Sequence, residues 1–177
     1  QPMTHVEALE LDRVPKHLVV LAGGYVGTEL AQAMRRFGSH VTIIERNDAL
    51  VDREDRDVSE ALRELFEDEG IEVRTGTCID RVAGRAGESV KLQVTRDGTQ
   101  DVIEGSDLLV ASGKIPNTDG IGLEAAGIER DHRGFVKVDE RLRTTAPGVW
   151  AVGDCAGSPH FTHIAHGDVR VVRDNLG

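Results

Sequence analysis

The stretch 17-HLVVLAGGYVGTELAQAMRRFG-38 decides the fold. It opens with a short, β-branched apolar run, 17-HLVVLA-22, that reads as a buried strand. It then passes through Gly23, Gly24 and Gly27 into Val26, Leu30, Met34 and Phe37, whose helical spacing predicts a helix over 26–37. Gly38 reads as the helix stop. A helix that starts at a glycine turn offers unpaired N–H groups and a positive dipole end to a diphosphate. In the G-x-G-x-x-G pattern the middle glycine, here Gly24, lets a pyrophosphate approach the backbone. The last, here Gly27, lets helix and strand pack closely. The first position is Ala22 instead, and alanine is tolerated there if its φ is negative. A turn that merely joins strand to helix is the plain alternative.

Outward from this stretch, a second strand, 40-HVTIIE-45, ends in Glu45, 18 positions after Gly27. The dinucleotide fingerprint wants an acid about 20 residues on, where it accepts hydrogen bonds from the adenine ribose. A carboxylate there repels a 2′-phosphate, which favours NAD(H) over NADP(H). Arg46 offers a partial route back to NADP(H), because arginine pairs with phosphate. The bland alternative for Glu45 is a solvated strand-end charge. Helical spacing of Val58, Ala61, Leu62, Leu65 and Phe66 predicts a helix over 55–69, and 71-IEVRTGT-77 reads as a third strand. The order β-α-β-α-β predicts a parallel sheet with right-handed crossovers.

The pattern changes after Thr77. Segments 89–96 and 100–106 flank the turn 97-DGT-99 and read as a hairpin with one wet face. Then 107-DLLVASG-113 is again a buried strand, 135–138 and 148–153 read as strands, and a last helix is expected over 163–176. Residues 1–15 read as irregular. The chain of 177 residues suits one domain, or one domain plus part of another. Aromatics are only 3%, so the core must be Val, Leu, Ile and Ala, the usual stock of a parallel sheet. A net charge of −10 argues against nonspecific nucleic-acid binding, which runs on Lys and Arg. Two cysteines without a CxxC spacing are too few for a disulfide scaffold and point to a reducing cytoplasm. No apolar run is long enough to span a bilayer, and no signal peptide precedes the fold, so no membrane role is expected. A start at Gln1 rather than Met fits a piece of something longer.

Three motifs carry a resemblance. The stretches 22-AGGYVGTE-29, 111-ASGKIPNT-118 and 144-TTAPGVWAVGDCAG-157 resemble motifs of the pyridine nucleotide–disulfide oxidoreductases, with 15–38 and 161-FTHIA-165 most similar to the mercuric-reductase-like branch. The resemblance implies an α/β fold. Residues 1–118 would be a Rossmann-like NAD(P)H-binding domain with a parallel sheet plus a β-meander, and 119–177 part of an FAD-binding domain. The family's flavin-side glycine turn, CxxxxC redox pair and C-terminal dimerisation domain have no counterpart here. The resemblance therefore implies the middle of a homodimeric enzyme, with no catalytic residue of its own. Cys78 and Cys155 match neither redox position and read as structural thiols.

Carried over residue by residue, Gly23, Gly24, Val26 and Gly27 would hold the NAD(H) pyrophosphate and Glu45 the adenine ribose, with Arg46 beside it. Tyr25 matches a tyrosine that lies over the flavin and swings aside for nicotinamide. Glu29, one helical turn on, matches an acid near the nicotinamide amide. Tyr25 can also be a half-buried packing aromatic, and Glu29 a plain complement to the helix dipole. Gly113 matches a close backbone approach to the nucleotide, and Lys114 stands where the family usually has arginine. Gly153 and Asp154 match the FAD ribitol contact, with simple turn chemistry as the alternative. Thr162, His163 and Ala165 would open a helix pointing at the flavin. His163 and His166 are spaced for a metal, but no third ligand is evident, so no metal is expected. The expected activity is hydride transfer from NAD(P)H to FAD and then to a disulfide or metal-ion acceptor. A stand-alone NAD-binding module and an inert, self-associating truncation product are the rivals.

Overall fold

The structure is a computed structural model that describes residues 2–176. The chain divides into two compact units, one up to Ser112 and one from Gly113.

In the first unit, strands β1 (His17–Leu21), β2 (His40–Ile44) and β3 (Glu72–Arg74) alternate with helices, as the sequence periodicity predicts. The strand β7 (Asp107–Val110) completes a four-stranded parallel sheet in the order β3-β2-β1-β7. Alternation along the strands sorts its side chains. Leu18, Val20, Val41, Ile43 and Leu109 pack in one core with Ala31, Met34 and Phe66 from the helices α2 (Tyr25–Arg36) and α3 (Arg56–Asp68). Val19, Ile44 and Leu108 point the other way. They pack on Val90, Leu92, Val94 and Ile103 of an antiparallel meander, β4 (Thr77–Arg85), β5 (Ser89–Arg96) and β6 (Thr99–Gly105). The expected parallel sheet and meander are both present.

Several local expectations differ. A short helix, α1 (His5–Leu9), lies in the stretch read as irregular, opened by a Thr4–Glu7 capping box. Strand β4 went unread because its pairing with β5 shifts register between Ile79 and Arg81, putting Ile79 and Val82 out of phase. Val58 and Leu65 are exposed, since α3 meets the sheet along Ser59, Leu62 and Phe66 instead. Phe37 caps α2 and is also exposed.

Two polar devices pin the sheet. The hydroxyl of Thr42 donates to Glu72 at 2.9 Å, so the His17 Nε2 at 2.9 Å must be the donor to Thr42, and the chain of bonds crosses β1, β2 and β3. At the other edge, Met3 bridges to Leu109, and Arg13 grips the fully buried carboxylate of Asp107 through bonds of 2.6 and 3.0 Å.

The second unit is mostly irregular. Ile128, Val136 and Ala146 form its core, flanked by Leu123, Val138 and Ala151. The strands expected at 135–138 and 148–153 are replaced by isolated bridges, Arg130–Val136 and Arg143–Trp150, because neither stretch finds a neighbour long enough for a ladder. A 3₁₀ turn (Gly153–Ala156) precedes the last helix, α4 (Thr162–Leu176). Among the described residues no helix is long and apolar enough to cross a membrane.

Candidate functional site

The site starts where β1 ends. Ala22 donates its amide to the Ile44 carbonyl at 2.9 Å, as a strand residue does, and then the chain turns. Its φ is +78°, so the condition set by the sequence, a negative φ, is not met. The turn needs the left-handed conformation, and alanine adopts it at a cost of ~1–2 kcal/mol.

The three glycines serve different needs. A Cβ on Gly23 would overlap the Leu50 side chain. One on Gly27 would overlap the Ala22 carbonyl oxygen and crowd Ala111, so this glycine is what lets α2 sit against β1. A Cβ on Gly24 would meet nothing within 4 Å, so its backbone faces open space. Gly24 is the N-cap of α2, and no side chain caps that end. The amides of Val26 and Gly27 therefore lie in an uncapped first turn. Buried Thr28 steadies that turn, its hydroxyl bonding to the carbonyls of Gly24 at 3.0 Å and Tyr25 at 2.9 Å.

Glu45 follows the last residue of β2 and is only 7% exposed. Its Oε2 accepts the Gly23 amide at 2.7 Å and its Oε1 accepts the Asn47 amide at 2.8 Å. The solvated-charge alternative fails, because both oxygens face backbone. Each oxygen has a second lone pair, so the carboxylate can still accept a hydroxyl. An open backbone face, an uncapped helix end and a buried acceptor beside them suit a ligand with a diphosphate and a diol. Tyr25 is 39% exposed and its hydroxyl donates to Glu54. Glu29, one turn along α2, and Arg46 are both exposed.

In the second unit, Gly113 has φ +146° and open space at its Cβ position. Lys114 lies 3.3 Å from the exposed carboxylate of Asp154. Gly153 is buried with φ +71°, and a Cβ there would press on the Ala165 Cβ at 3.2 Å. So Ala165 packs on the turn, and the glycine serves that approach. Thr162 begins α4, and the exposed His163 ring stacks on Phe161 with centroids 5.4 Å apart. No group of three or more His, Cys, Asp or Glu among the described residues is placed to hold a metal.

Two features went unread in the sequence. Asp168 on α4 accepts the Gly153 amide at 2.8 Å and the Ser158 hydroxyl at 2.7 Å, fastening both ends of the 3₁₀ turn. The segment 46–55 folds onto the glycine turn, with the Val51 amide donating to the Gly23 carbonyl at 2.8 Å. Neither has a short-range spacing signal.

Comparison with known proteins finds relatives over almost the whole chain. The pyridine nucleotide-disulphide oxidoreductase family matches residues 1–168. A mercuric reductase of Streptomyces lividans is 40% identical over 173 residues, covering 98% of this chain and 36% of that protein. A dihydrolipoyl dehydrogenase of Thermus scotoductus is 42% identical over 163 residues, covering 92% of this chain and 35% of its own. Among solved structures, the Cu(II) complex of the HOCl-induced flavoprotein disulfide reductase RclA from Escherichia coli superposes with a TM-score of 0.84 at 37% identity, covering 98% of this chain and 39% of that one. The chain thus spans little more than a third of the length of these relatives.

Proposed function

The chain belongs to the pyridine nucleotide-disulphide oxidoreductase family, and on that premise we propose that it is the part of a flavoprotein oxidoreductase that binds NAD(P)H and walls one side of the FAD site. One observation carries the nucleotide half: the open Gly24 backbone at the uncapped start of α2, beside the buried Glu45 carboxylate. The amides of Val26 and Gly27 would take the diphosphate oxygens, and the helix dipole adds a favourable partial charge. Glu45, held by its own turn, would accept the adenine ribose hydroxyls. Its fixed negative charge supports NAD(H) over NADP(H), since a 2′-phosphate would be set against it.

On the flavin side, Asp154 is exposed and able to accept a ribitol hydroxyl, sharing its charge with Lys114. The start of α4 would lend its positive end to the flavin. When bound, the nicotinamide supplies a hydride and the flavin accepts it, and the protein's part is placement and electrostatics. The parent enzyme would pass the electrons to a disulfide or metal-ion acceptor and act as a homodimer. The stand-alone nucleotide module is the weaker reading, because the family match runs on to residue 168, through the Gly153–Asp154 turn.

Calorimetric titration of the chain with NADH and NADPH tests this. Binding of NADH more tightly than NADPH is expected. Absence of NADH binding at millimolar concentration overturns the nucleotide reading.

A further inference from the structure

The parallel sheet ends at β3, which pairs with β2 on one side and, among the described residues, with no strand on the other. The Arg74 carbonyl accepts the Glu45 amide at 2.9 Å, so Arg74 turns its backbone groups toward the β2 side. Successive residues of a strand turn theirs to opposite sides, so Val73 turns its N–H and C=O to the free edge. Among the described residues neither group has a hydrogen-bond partner. Yet Val73 is only 8% exposed. Backbone groups placed this deeply are almost always paired.

The edge borders a cleft of about 450 Å³, a size usual for ligand sites. One wall is β3 itself, and the other is the free end of the β5–β6 hairpin, with Val94, Arg96, Asp97 and Asp101. Val73 belongs to the helix-side core with Phe66 and Ile71, whereas Glu72 and Arg74 lie on the meander side, bonded to Thr42 and Asp101. Charged side chains can guard a sheet edge. Here Arg74 is already held twice, by Glu72 at 2.7 Å and by Asp101 at 2.6 Å. Arg96 is different. Its ion pair with Asp97 is 3.8 Å long, beyond hydrogen-bonding distance, so its guanidinium is only loosely engaged.

We propose that this cleft receives an extended segment of a partner polypeptide, which adds to the free edge of β3 and places a carboxylate side chain against Arg96. A strand offers an amide and a carbonyl together to one edge residue, which is what Val73 presents. Side chains alternate along a strand, so apolar residues fall on the side of Val73 while charged ones face the hairpin. The fitting segment therefore alternates apolar and charged residues, with an acid at its centre. None of the cleft residues belongs to the glycine turn, so the peptide site and the nucleotide site stand or fall separately.

The probe is the peptide acetyl-Lys-Val-Glu-Val-Lys-amide, titrated into the chain by calorimetry and by amide NMR. Binding at millimolar concentration is expected, with amide exchange at Val73 slowed about three- to tenfold at saturation, the worth of one net hydrogen bond. The same peptide with Gln for Glu should bind the parent chain about two- to fivefold more weakly, and Arg96→Ala should erase that difference. Val73→Pro removes the edge donor while leaving the bonds between β2 and β3 in place, and should weaken binding about three- to tenfold. Should that variant fail to fold, a probe N-methylated at both valines puts the same question to the parent chain and should not bind. No binding of the unmodified probe, binding that survives N-methylation, unchanged exchange at Val73, or equal affinity for the Glu and Gln probes each overturn the proposal. So does sedimentation that finds a dimer of the chain abolished by Val73→Pro, which would give the edge to a second copy.

Discussion

The carboxylate of Glu45 accepts the amide of Gly23 at 2.7 Å, joining the residue after one strand to the turn after its neighbour. With the Asn47 amide on the other oxygen, the acid that would grip a ribose also builds the turn that would hold the diphosphate. On the proposed nucleotide reading, binding residue and scaffold would be one side chain, so substitutions there should read on stability and affinity together.

Glu45→Ala leaves two amides without acceptors, at about 1–3 kcal/mol for each that stays buried. Glu45→Gln keeps one good acceptor and should lose less. Urea unfolding of the two variants should rank parent, Gln, Ala in falling stability, with NADH affinity, read by calorimetry, in the same order.

Gly24→Ala and Gly27→Ala should separate function from folding. The added methyl at Gly24 enters open space, so stability should change by no more than ~1 kcal/mol while NADH binding weakens markedly. At Gly27 it collides with the Ala22 carbonyl oxygen, which the backbone cannot yield cheaply. A loss of ~2 kcal/mol or more is expected in denaturant titration.

Ala22→Gly pits two terms against each other. Relief of the positive φ is worth ~1–2 kcal/mol, and the extra freedom of an unfolded glycine costs ~0.5–1 kcal/mol. The first term wins, so the variant should unfold at higher urea. Ala22→Val should unfold at lower urea, because β-branching worsens the same strain.

Asp107 makes the first unit acid-sensitive. Burial pushes its pKa up, but the Arg13 guanidinium and the Ser106 hydroxyl, with the Gly87 amide, override that and hold the carboxyl below its usual range. A depressed carboxylate contributes stability that is full above the unfolded pKa, near 3.9, and is lost as pH falls through the folded value. His17 acts in the same sense at higher pH. Burial, with His40 opposing its charge, lowers its pKa, so stability is lost as pH falls from about 6.5 through the lowered folded value. Asp107→Asn should abolish the steeper loss below about pH 4 in pH-dependent urea midpoints, and cost ~2 kcal/mol or more at neutral pH.

Asp168→Ala should loosen the turn that presents Asp154, while Asp168→Asn, which keeps an acceptor, should largely preserve it. The chain has a single tryptophan, Trp150, three residues before the turn, so its fluorescence reports the region. Amide exchange at Gly153 should speed up in the Ala variant by about tenfold or more, the loss of one buried hydrogen bond.

The local pattern of the chain determined a great deal. Periods of two and 3.6 along residues 17–77 and 89–113 were enough for the strand and helix order, the hairpin and the glycine turn at the head of α2, because each depends on neighbours a few residues away, and the alternation of strand and helix then implied parallel strands by the crossover rule. Glu45 at the end of β2 was legible for the same reason. What only the tertiary structure decided are relationships between distant residues. Among them are the positive φ forced on Ala22, the two amides that claim Glu45, the segment 46–55 that brings Glu54 to Tyr25, and Asp168 under Gly153. The stretches 135–138 and 148–153 look like strands in sequence but form none, since a strand exists only when another segment lies alongside to share its hydrogen bonds. Periodicity records which face of an element is apolar. It carries no record of which partner will meet that face or which backbone groups will need an acceptor once the elements are packed.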